Sequence, residues 1–329
     1  MRDIQLSQKK FTQEKLRQTL TQGKVRPLFL VISGIALIIV SLYLFPREVK
    51  SFEQIANQLP DLPATTLTNY QQFKENPNFQ MKTVDSFGRS YQYRIGGSGK
   101  PLLLLHGMGG TSDFWWQQFL HYQNQFTVIA PTYPAVNTLE ELSAGILAIL
   151  DKEGLTDVTV IGTSLGGYLA QYLTAQNPNR FSKVILSNTF PPNNILLAKN
   201  RWQGLALRIA PEWLVWKIYK GGLEKMVIPA SNNSPLVALF TLSLAYGEMS
   251  QAQLIGRYEC VMEKFETVKP KVPTMILEAD NDPLVPAEVR ELLKKQYPNA
   301  KIETLHKVGH FPYLSDAALF HKAIDSFIL

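Results

Sequence analysis

The sequence predicts an α/β protein with a mostly parallel central sheet flanked by helices. Short apolar, β-branched runs alternate along the chain with segments in which apolar residues recur every three or four positions. An order of strand, helix, strand, helix requires crossover connections, which build a parallel sheet covered on both faces. The chain has 329 residues, of which 45% are hydrophobic and 18% charged. It is therefore long and apolar enough to bury a sizeable core.

Two N-terminal segments differ from the rest of the chain. Residues 1–27 form a basic tail with a net charge of +5, which leaves only +1 for all the other residues. Residues 28–45 carry no charge and are mostly apolar. As a helix this run would be about 27 Å long, close to the hydrocarbon thickness of a bilayer. It predicts a single-pass membrane anchor, with the basic N-terminus in the cytoplasm and the remaining chain on the opposite side.

Two alternatives to the anchor are a buried core helix and a cleaved signal peptide. A run so uniformly apolar beside a basic tail disfavours the first. The second would need a small-residue cleavage site directly afterwards and a shorter apolar stretch. The nearly neutral remainder of the chain disfavours nucleic-acid binding. Cys260 is the only cysteine, which excludes an intrachain disulfide and a cysteine-based metal site.

Residues 46–78 are predicted to be a polar connector with one short helix near residues 52–59. The main domain follows over residues 79–329, with helices near residues 114–122 and 139–150. Residues from about 190 to 265 interrupt the alternation with helical patterning, which predicts a helical cap insertion over the carboxyl edge of the sheet. Apolar, β-branched runs predict strands at 80–84, 90–95, 101–105, 126–130, 158–161, 182–187, 274–278 and 301–305.

The run Gly-Thr-Ser-Leu-Gly at 162–166 joins the strand at 158–161 to a helical pattern. A strand-to-helix turn this sharp leaves no room for side chains at Gly162 and Gly166, and it places Ser164 at its tip. Backbone N–H groups at the helix N-terminus favour negative charge there. Ser164 is therefore the candidate nucleophile.

A catalytic serine needs a base, an acid that orients the base, and hydrogen-bond donors for the oxyanion. His310 begins a loop after the last predicted strand and is the candidate base. Asp282, which precedes a proline after a buried strand, is the candidate acid, and Asp280 is the alternative. The backbone N–H groups of Leu165 and Met108 are the candidate oxyanion donors.

Four motifs together resemble the α/β-hydrolase superfamily over about residues 80–329, and the order Ser, Asp, His is that of this fold. Further runs at 130–134, 186–190 and 297–300 resemble its maspardin-like branch. Ala279 stands where the superfamily often has glycine, and the anchor lies outside the maspardin pattern. The four motifs are Leu-Leu-Leu-Leu-His-Gly at 102–107, Gly-Thr-Ser-Leu-Gly-Gly at 162–167, Asp-Pro-Leu-Val-Pro at 282–286 and Gly-His-Phe-Pro-Tyr at 309–313.

Two functions follow from these observations. The complete set of nucleophile, acid, base and donors predicts a membrane-anchored serine hydrolase acting on an apolar ester or thioester. The maspardin resemblance implies the alternative, a non-catalytic module that binds a protein partner, since that branch is better regarded as binding proteins. The fold also leaves carbon–carbon bond cleavage open. The sequence contains no phosphate loop, metal-binding cluster or nucleotide fingerprint, so no cofactor is predicted.

Overall fold

The computed structural model describes residues 12, 14, 25–266 and 272–329. Within these residues one sheet has the strand order β1-β2-β4-β3-β5-β6-β7-β8. The two pairings of β2, with β1 and β4, are antiparallel and the other five are parallel, which confirms the predicted mostly parallel sheet. The strands are β1 (Phe79–Ser86), β2 (Arg89–Gly97), β3 (Lys100–Leu105), β4 (Phe126–Thr132), β5 (Val158–Thr163), β6 (Phe181–Ser187), β7 (Thr274–Ala279) and β8 (Lys301–Leu305).

Helices cover both faces of this sheet. Two 3₁₀ turns, Ser112–Trp115 and Pro178–Arg180, and two π-helical turns, Leu223–Val227 and Leu244–Glu248, accompany them. The α-helices are α1 (Val25–Leu44), α2 (Phe52–Ala56), α3 (Ala64–Glu75), α4 (Trp116–Tyr122), α5 (Leu139–Lys152), α6 (Leu165–Gln176), α7 (Asn194–Asn200), α8 (Gln203–Ile209), α9 (Glu212–Gly222), α10 (Ile228–Ala230), α11 (Pro235–Ser243), α12 (Gln251–Met262), α13 (Ala287–Gln296), α14 (Pro312–Ser315) and α15 (Ala317–Ile328).

Strand β3 shows why the sheet is buried on both faces. Its side chains alternate between two hydrophobic clusters, as the two-residue period of a strand requires. Leu102 and Leu104 join one cluster, while Leu103 and Leu105 join the other. All four are 0% exposed. Each buried leucine stabilises the fold by about 1.5–3 kcal/mol, so the apolar run that predicted this strand holds a core together on each side.

Residues 46–78 are more structured than the sequence predicts. Besides α2, which matches the predicted short helix, the segment contains α3. Tyr70 and Phe73 of α3 are buried in the same hydrophobic cluster as Leu102. Leu67 packs against that cluster too. The spacing of three between these apolar residues is a helical signal, and it is a weak one because the residues around it are polar.

The chain divides into two compact units, one made of the N-terminal residues through Arg47 with Pro211–Trp213 and the other of Glu48–Ala210 with Leu214–Leu329. In the first unit the indole N–H of Trp213 donates to the carbonyl of Leu42 at 2.8 Å. The predicted basic tail lies mostly outside the described residues.

Helix α1 covers most of the predicted anchor at 28–45. Among the described residues, however, no helix is both long enough and apolar enough to cross a membrane. The structure thus gives the predicted transmembrane helix no support, and the anchor remains a prediction.

The segment between β6 and β7 is mainly helical where described, with α7 to α12, and it covers the predicted cap insertion. It lies at the carboxyl ends of the strands, because Asn281 and Lys307, in loops that follow β7 and β8, hydrogen-bond to it. The Asn281 side chain donates to the carbonyl of Ala230 at 2.7 Å, and the Asn232 side chain donates to the carbonyl of Lys307 at 2.9 Å.

Candidate active site

The site lies where the chain order of the sheet reverses. From β3 the chain passes to β4 on one side and then to β5 on the other, so β3 stands between them. In open α/β sheets the loops diverge at such a point and leave a crevice at the carboxyl ends of the strands. The loop after β3 begins at His106, and Ser164 directly follows β5. A Cβ added at Gly107 would lie 3.0 Å from the Cβ of Ser164, so the two loops are in contact.

Ser164 occupies the sharp turn that the sequence predicts. Its backbone angles are φ 53° and ψ −121°, in the region that favours glycine. A Cβ at Gly162 would overlap the carbonyl of Gly166, and one at Gly166 would overlap the carbonyl of Leu105. Both glycines are therefore required for the strand and helix to approach this closely, as predicted.

Neighbouring groups hold the strained backbone of Ser164 from two sides. Its N–H donates to the carbonyl of Ser187 at 3.1 Å. Its carbonyl accepts from the hydroxyl of Thr189 at 2.6 Å and from the N–H of Tyr168 at 2.9 Å. Strain of this kind persists only where the surroundings over-determine it. Here the last residue of β6 and the segment directly after it supply two of the three hydrogen bonds.

Asp282 and His310 form a buried pair. The Asp282 Oδ2 atom lies 2.8 Å from the His310 Nδ1 atom, and their side chains are 0% and 3% exposed, respectively. The other carboxylate oxygen accepts from the N–H groups of Leu284 and Val285. A carboxylate only accepts, so Nδ1 of His310 carries a proton, and in the neutral form of the ring Nε2 is the acceptor.

Asp280, the alternative acid, holds a different histidine. Its carboxylate lies 2.7 Å from Nδ1 of His306, and both side chains are substantially exposed, at 45% and 73%. The hydrogen bond from His306 lowers the pKa of Asp280 below its ordinary value. The two aspartates of the turn therefore bind different histidines and differ in burial.

Asn188 links three parts of the site, and the sequence analysis did not assign it a role. Its side-chain amide donates to the carbonyls of Gly309 and His310, at 3.0 and 3.1 Å. Its side-chain oxygen accepts from the N–H of Ala279 at 2.7 Å, at the end of β7. The residue is buried and has a φ of 41°. An asparagine directly after a buried strand, within the maspardin-like run 186–190, is the signal that could have indicated it.

The loop after β3 is fixed by His106. Its Nδ1 lies 2.7 Å from the carbonyl of Gly107, and its Nε2 accepts from the N–H of Tyr133 at 3.3 Å. Burial, and secondarily the nearby charge of Arg257, hold the pKa of His106 well below its ordinary value. The ring is thus neutral with its proton on Nδ1. In a trans peptide the N–H points opposite to the carbonyl, so the N–H of Met108 points away from His106.

The candidate residues come together in two pairs. Gly107, in the loop that carries Met108, contacts Ser164, and Asp282 contacts His310. No hydrogen bond among the described residues joins the Ser164 hydroxyl to His310. The segment from Ser187 to Thr189 connects the pairs through its hydrogen bonds to both Ser164 and His310. Within the described residues no group of three His, Cys, Asp or Glu side chains is placed to hold a metal ion.

Comparisons with known proteins point to one family. Residues 102–323 match the alpha/beta hydrolase family. Mouse maspardin is 28% identical over 230 residues, which cover 66% of this chain and 71% of maspardin. An uncharacterised protein of Mycobacterium tuberculosis is 25% identical over 279 residues, covering 77% of this chain and 81% of its own. The predicted resemblance to maspardin is confirmed.

Solved structures share the fold. A hydrolase from Pseudomonas aeruginosa PA01 superposes with a TM-score of 0.66 at 24% identity, covering 77% of this chain and 99% of its own. A thermophilic esterase from Thermogutta terrifontis gives 0.64 at 17% identity, covering 76% and 98%. Since the family match extends over more than half of the residues, the chain belongs to the alpha/beta hydrolase family.

Proposed function

We propose that this chain is a serine hydrolase that cleaves an ester or thioester by acyl-enzyme chemistry at Ser164. The observation that carries the proposal is the buried pair of Asp282 and His310 at the sheet edge where Ser164 occupies a strained turn. A strained serine beside a helix N-terminus, together with an oriented neutral imidazole, is the arrangement that nucleophilic catalysis needs.

In the proposed reaction Nε2 of His310 takes the hydroxyl proton of Ser164 as Oγ bonds to the substrate carbonyl carbon. The resulting oxyanion accepts hydrogen bonds from the N–H groups of Met108 and Leu165. The bond to the leaving alcohol or thiol then breaks, and His310 returns the proton to that group. A water molecule then attacks the acyl-enzyme while Nε2 of His310 takes its proton. As the acyl bond to Oγ breaks, His310 gives that proton to Oγ, which releases the acid and restores Ser164. Asp282 orients His310 and stabilises the imidazolium.

Aromatic side chains beside the base favour an apolar acyl group. Phe311 follows His310, and the two rings lie 5.0 Å apart. Phe311 packs against Phe114, which in turn packs against Phe240 of the insertion, with ring centroids 6.2 and 5.3 Å apart. All three phenylalanine rings are buried in one hydrophobic cluster, so the surroundings of the candidate base are apolar.

The test uses the purified full-length chain with a fluorophosphonate probe and a series of p-nitrophenyl esters of increasing acyl length. We expect covalent labelling of the wild type, loss of labelling in Ser164→Ala, and higher kcat/KM for medium or long acyl chains. Asp280→Asn is the control for a change outside the proposed machinery. A folded wild type that takes up no probe from about pH 6 to about pH 9 would overturn the proposal.

Similarity to maspardin is the observation that favours the alternative, a protein-binding module on the same fold. Under that alternative the wild type would take up no more probe than Ser164→Ala, because the hydroxyl would not be activated. The labelling experiment therefore separates the two functions.

We also propose that residues 28–45 attach the chain to a membrane, with the N-terminus in the cytoplasm and the hydrolase domain on the opposite side. This proposal rests on the uncharged apolar run and on the exposure of its side chains, such as 68% for Phe29 and 71% for Leu37. Within the run, the hydroxyl of Ser41 donates to the carbonyl of Ile38 at 2.7 Å. In a lipid environment polar groups need hydrogen-bond partners within the helix, because no water is present to bind them.

Carbonate extraction of cell membranes tests this attachment. The wild type should stay in the pellet, whereas a variant with Ile35→Arg and Ile39→Arg should be released. Each charge at a helix centre costs about 2.5–3.5 kcal/mol on insertion scales. Release of the wild type into the soluble fraction would overturn the proposal. The orientation is tested by protease added to the cytoplasmic side, which should spare the hydrolase domain; its digestion there would overturn the orientation.

A further inference from the structure

Arg257 of helix α12 is a buried cation that contacts the loop after β3. The residue is 1% exposed. One guanidinium nitrogen, Nη1, donates to the carbonyls of Met108 and Gly110, both at 2.9 Å. The other, Nη2, donates to the carbonyl of Tyr133 at 2.9 Å. A single side chain of the insertion thus holds three backbone carbonyls at the carboxyl edge of the sheet.

These contacts determine the direction of the Met108 N–H. Each residue has only two soft backbone dihedrals, which are set by the planes of its two flanking peptide groups. His106 holds the carbonyl of the peptide before Met108, and Arg257 holds the carbonyl of the peptide after it. With both planes fixed, the N–H of Met108 keeps one direction relative to Ser164.

Arg257 also supports the other side of this arrangement. Tyr133, whose carbonyl it binds, donates its own N–H to Nε2 of His106. Helix α12 comes close enough because Gly256 has no side chain; a Cβ there would overlap the carbonyl of Val136. The guanidinium therefore contacts the loop itself and also Tyr133, the residue that hydrogen-bonds to His106.

The cation is energetically expensive for a purely structural contact. Among the described residues no carboxylate pairs with Arg257, and its Nε has no hydrogen-bond partner. Burial lowers the pKa of Arg257 to about 10, so the group stays charged at neutral pH. Burial of a charge without a counter-ion lowers the stability of the fold, whereas apolar side chains fill such space at lower cost. Its three hydrogen bonds to backbone carbonyls point to a role in which a positive, multidentate donor is needed.

We propose that Arg257 is a positioning residue that sets the oxyanion site by fixing the loop from Met108 to Gly110, and so makes the geometry of that site depend on the insertion. This inference rests on the proposed hydrolase function, since it concerns the same site. Arg257 acts through Met108 and does not touch the reacting atoms.

The test compares Arg257→Met and Arg257→Lys with Arg208→Met in the full-length chain. Arg208 is the matched control, because it also contacts α12, through a 2.8 Å ion pair with Glu259, but is 58% exposed. The readouts are kcat and KM for a p-nitrophenyl ester, normalised to active sites by burst titration, and the affinity for a trifluoromethyl ketone. That ketone adds to an activated serine as a hemiketal whose oxygen anion occupies the oxyanion site.

We expect Arg257→Met to lower kcat per active site by roughly 10- to 100-fold, somewhat less than removal of a whole oxyanion donor. KM should stay within about three-fold, and ketone affinity should fall by the same factor as kcat/KM, because both depend on transition-state binding. Arg257→Lys should retain part of the activity, since lysine keeps the charge but loses the planar fork. Should Arg257→Met fail to fold, the lysine variant decides the matter by the same readouts.

A purely structural Arg257 would reduce the number of active sites while leaving kcat per site and ketone affinity unchanged, and that result would overturn the inference. So would an equal effect of Arg208→Met. If instead the wild type shows neither a burst nor ketone binding, the proposed function itself fails. That outcome differs from an active wild type whose Arg257 variants have unchanged kcat and ketone affinity.

Discussion

Asp282 Oδ2 lies 2.8 Å from Nδ1 of His310 with both side chains buried, while Asp280, two residues earlier, lies 2.7 Å from the exposed His306. The two carboxylates of this turn therefore have different histidine partners and different exposure. Only the Asp282 pair is shielded from water, which strengthens its interaction. The structure therefore favours Asp282 as the residue that orients the candidate base.

The first prediction distinguishes these aspartates by kinetics. Asp282→Asn should lower kcat by about 10⁴-fold, because the amide no longer selects the tautomer of His310 that leaves Nε2 free to accept. Asp280→Asn, the matched control, should change kcat by less than about three-fold, as expected for an exposed pair. Ester hydrolysis under saturating substrate measures both. A larger effect of Asp280→Asn would show that the acid has been misassigned.

The second prediction concerns Asn188. Asn188→Ala should lower the free energy of unfolding by about 2–4 kcal/mol, because it leaves the Ala279 N–H and the carbonyls of Gly309 and His310 without partners in a buried setting. Urea denaturation measures the change. Activity should fall further than stability alone accounts for, since the backbone of His310 loses its restraint.

Asn232→Ala is the control for Asn188→Ala. Asn232 has a similar φ of 51°, but it is exposed, and its side-chain amide donates to the carbonyl of Lys307. Its replacement should cost less than about 1 kcal/mol. Equal losses for the two variants would mean that backbone conformation, rather than the buried hydrogen bonds of Asn188, accounts for the effect.

Local patterns predicted the sheet and the serine turn, because both depend on neighbours in sequence. The strand at β3 is a run of leucines, and the turn at Ser164 needs glycine two residues away on each side. The roles of Asn188 and Arg257 were not predicted, because these residues depend on partners that are distant in sequence. Their partners lie 121 and 149 residues away, at Gly309 and Met108. Sequence periodicity does not identify partners at such distances. The position of Arg257 three residues after buried Leu254, on the same helix face, is the one local sign that the arginine is buried.

The third prediction tests the serine turn by adding one methyl group. Gly166→Ala should abolish soluble expression or lower Tm by more than about 10 °C, because its Cβ would overlap the carbonyl of Leu105. Gly221→Ala is the control. Gly221 lies in helix α9 with no atom within 4 Å of an added Cβ, so the same change should stabilise by about 0.5–1 kcal/mol. A Gly166→Ala variant that melts like the wild type would contradict the described geometry.

The fourth prediction concerns acid stability and a stacked pair of histidines. The rings of His121 in α4 and His321 in α15 are 3.9 Å apart and nearly parallel. Burial, and secondarily the neighbouring His121, lower the pKa of His321 to about 4, while Asp325 opposes the shift. Asp325 also lies 3.5 Å from His121 and accepts from the Tyr122 hydroxyl, and Gln118 faces His321 at 3.3 Å.

The sign of the effect follows from the two states. The unfolded chain protonates this histidine near its ordinary pKa of about 6.5, whereas the folded chain resists protonation down to about pH 4. The stabilising contribution of neutral His321 is therefore present above about pH 6.5 and is lost as the pH falls toward 4. At pH 5 the loss should be about 2 kcal/mol for this residue.

His321→Gln removes the titrating group and keeps a polar side chain beside Gln118. Between pH 7.5 and pH 5 its free energy of unfolding should fall by about 2 kcal/mol less than that of the wild type, as measured by urea denaturation at each pH. His121→Gln should recover only a small part of this difference, because burial is the first cause of the shift and stays in place. His306→Gln, at a side chain that is 73% exposed, is the control for replacing a surface histidine by glutamine. If the wild type and His321→Gln lose the same stability, the acid sensitivity resides elsewhere; buried His106, whose pKa is also held well below its ordinary value, is then the residue to replace.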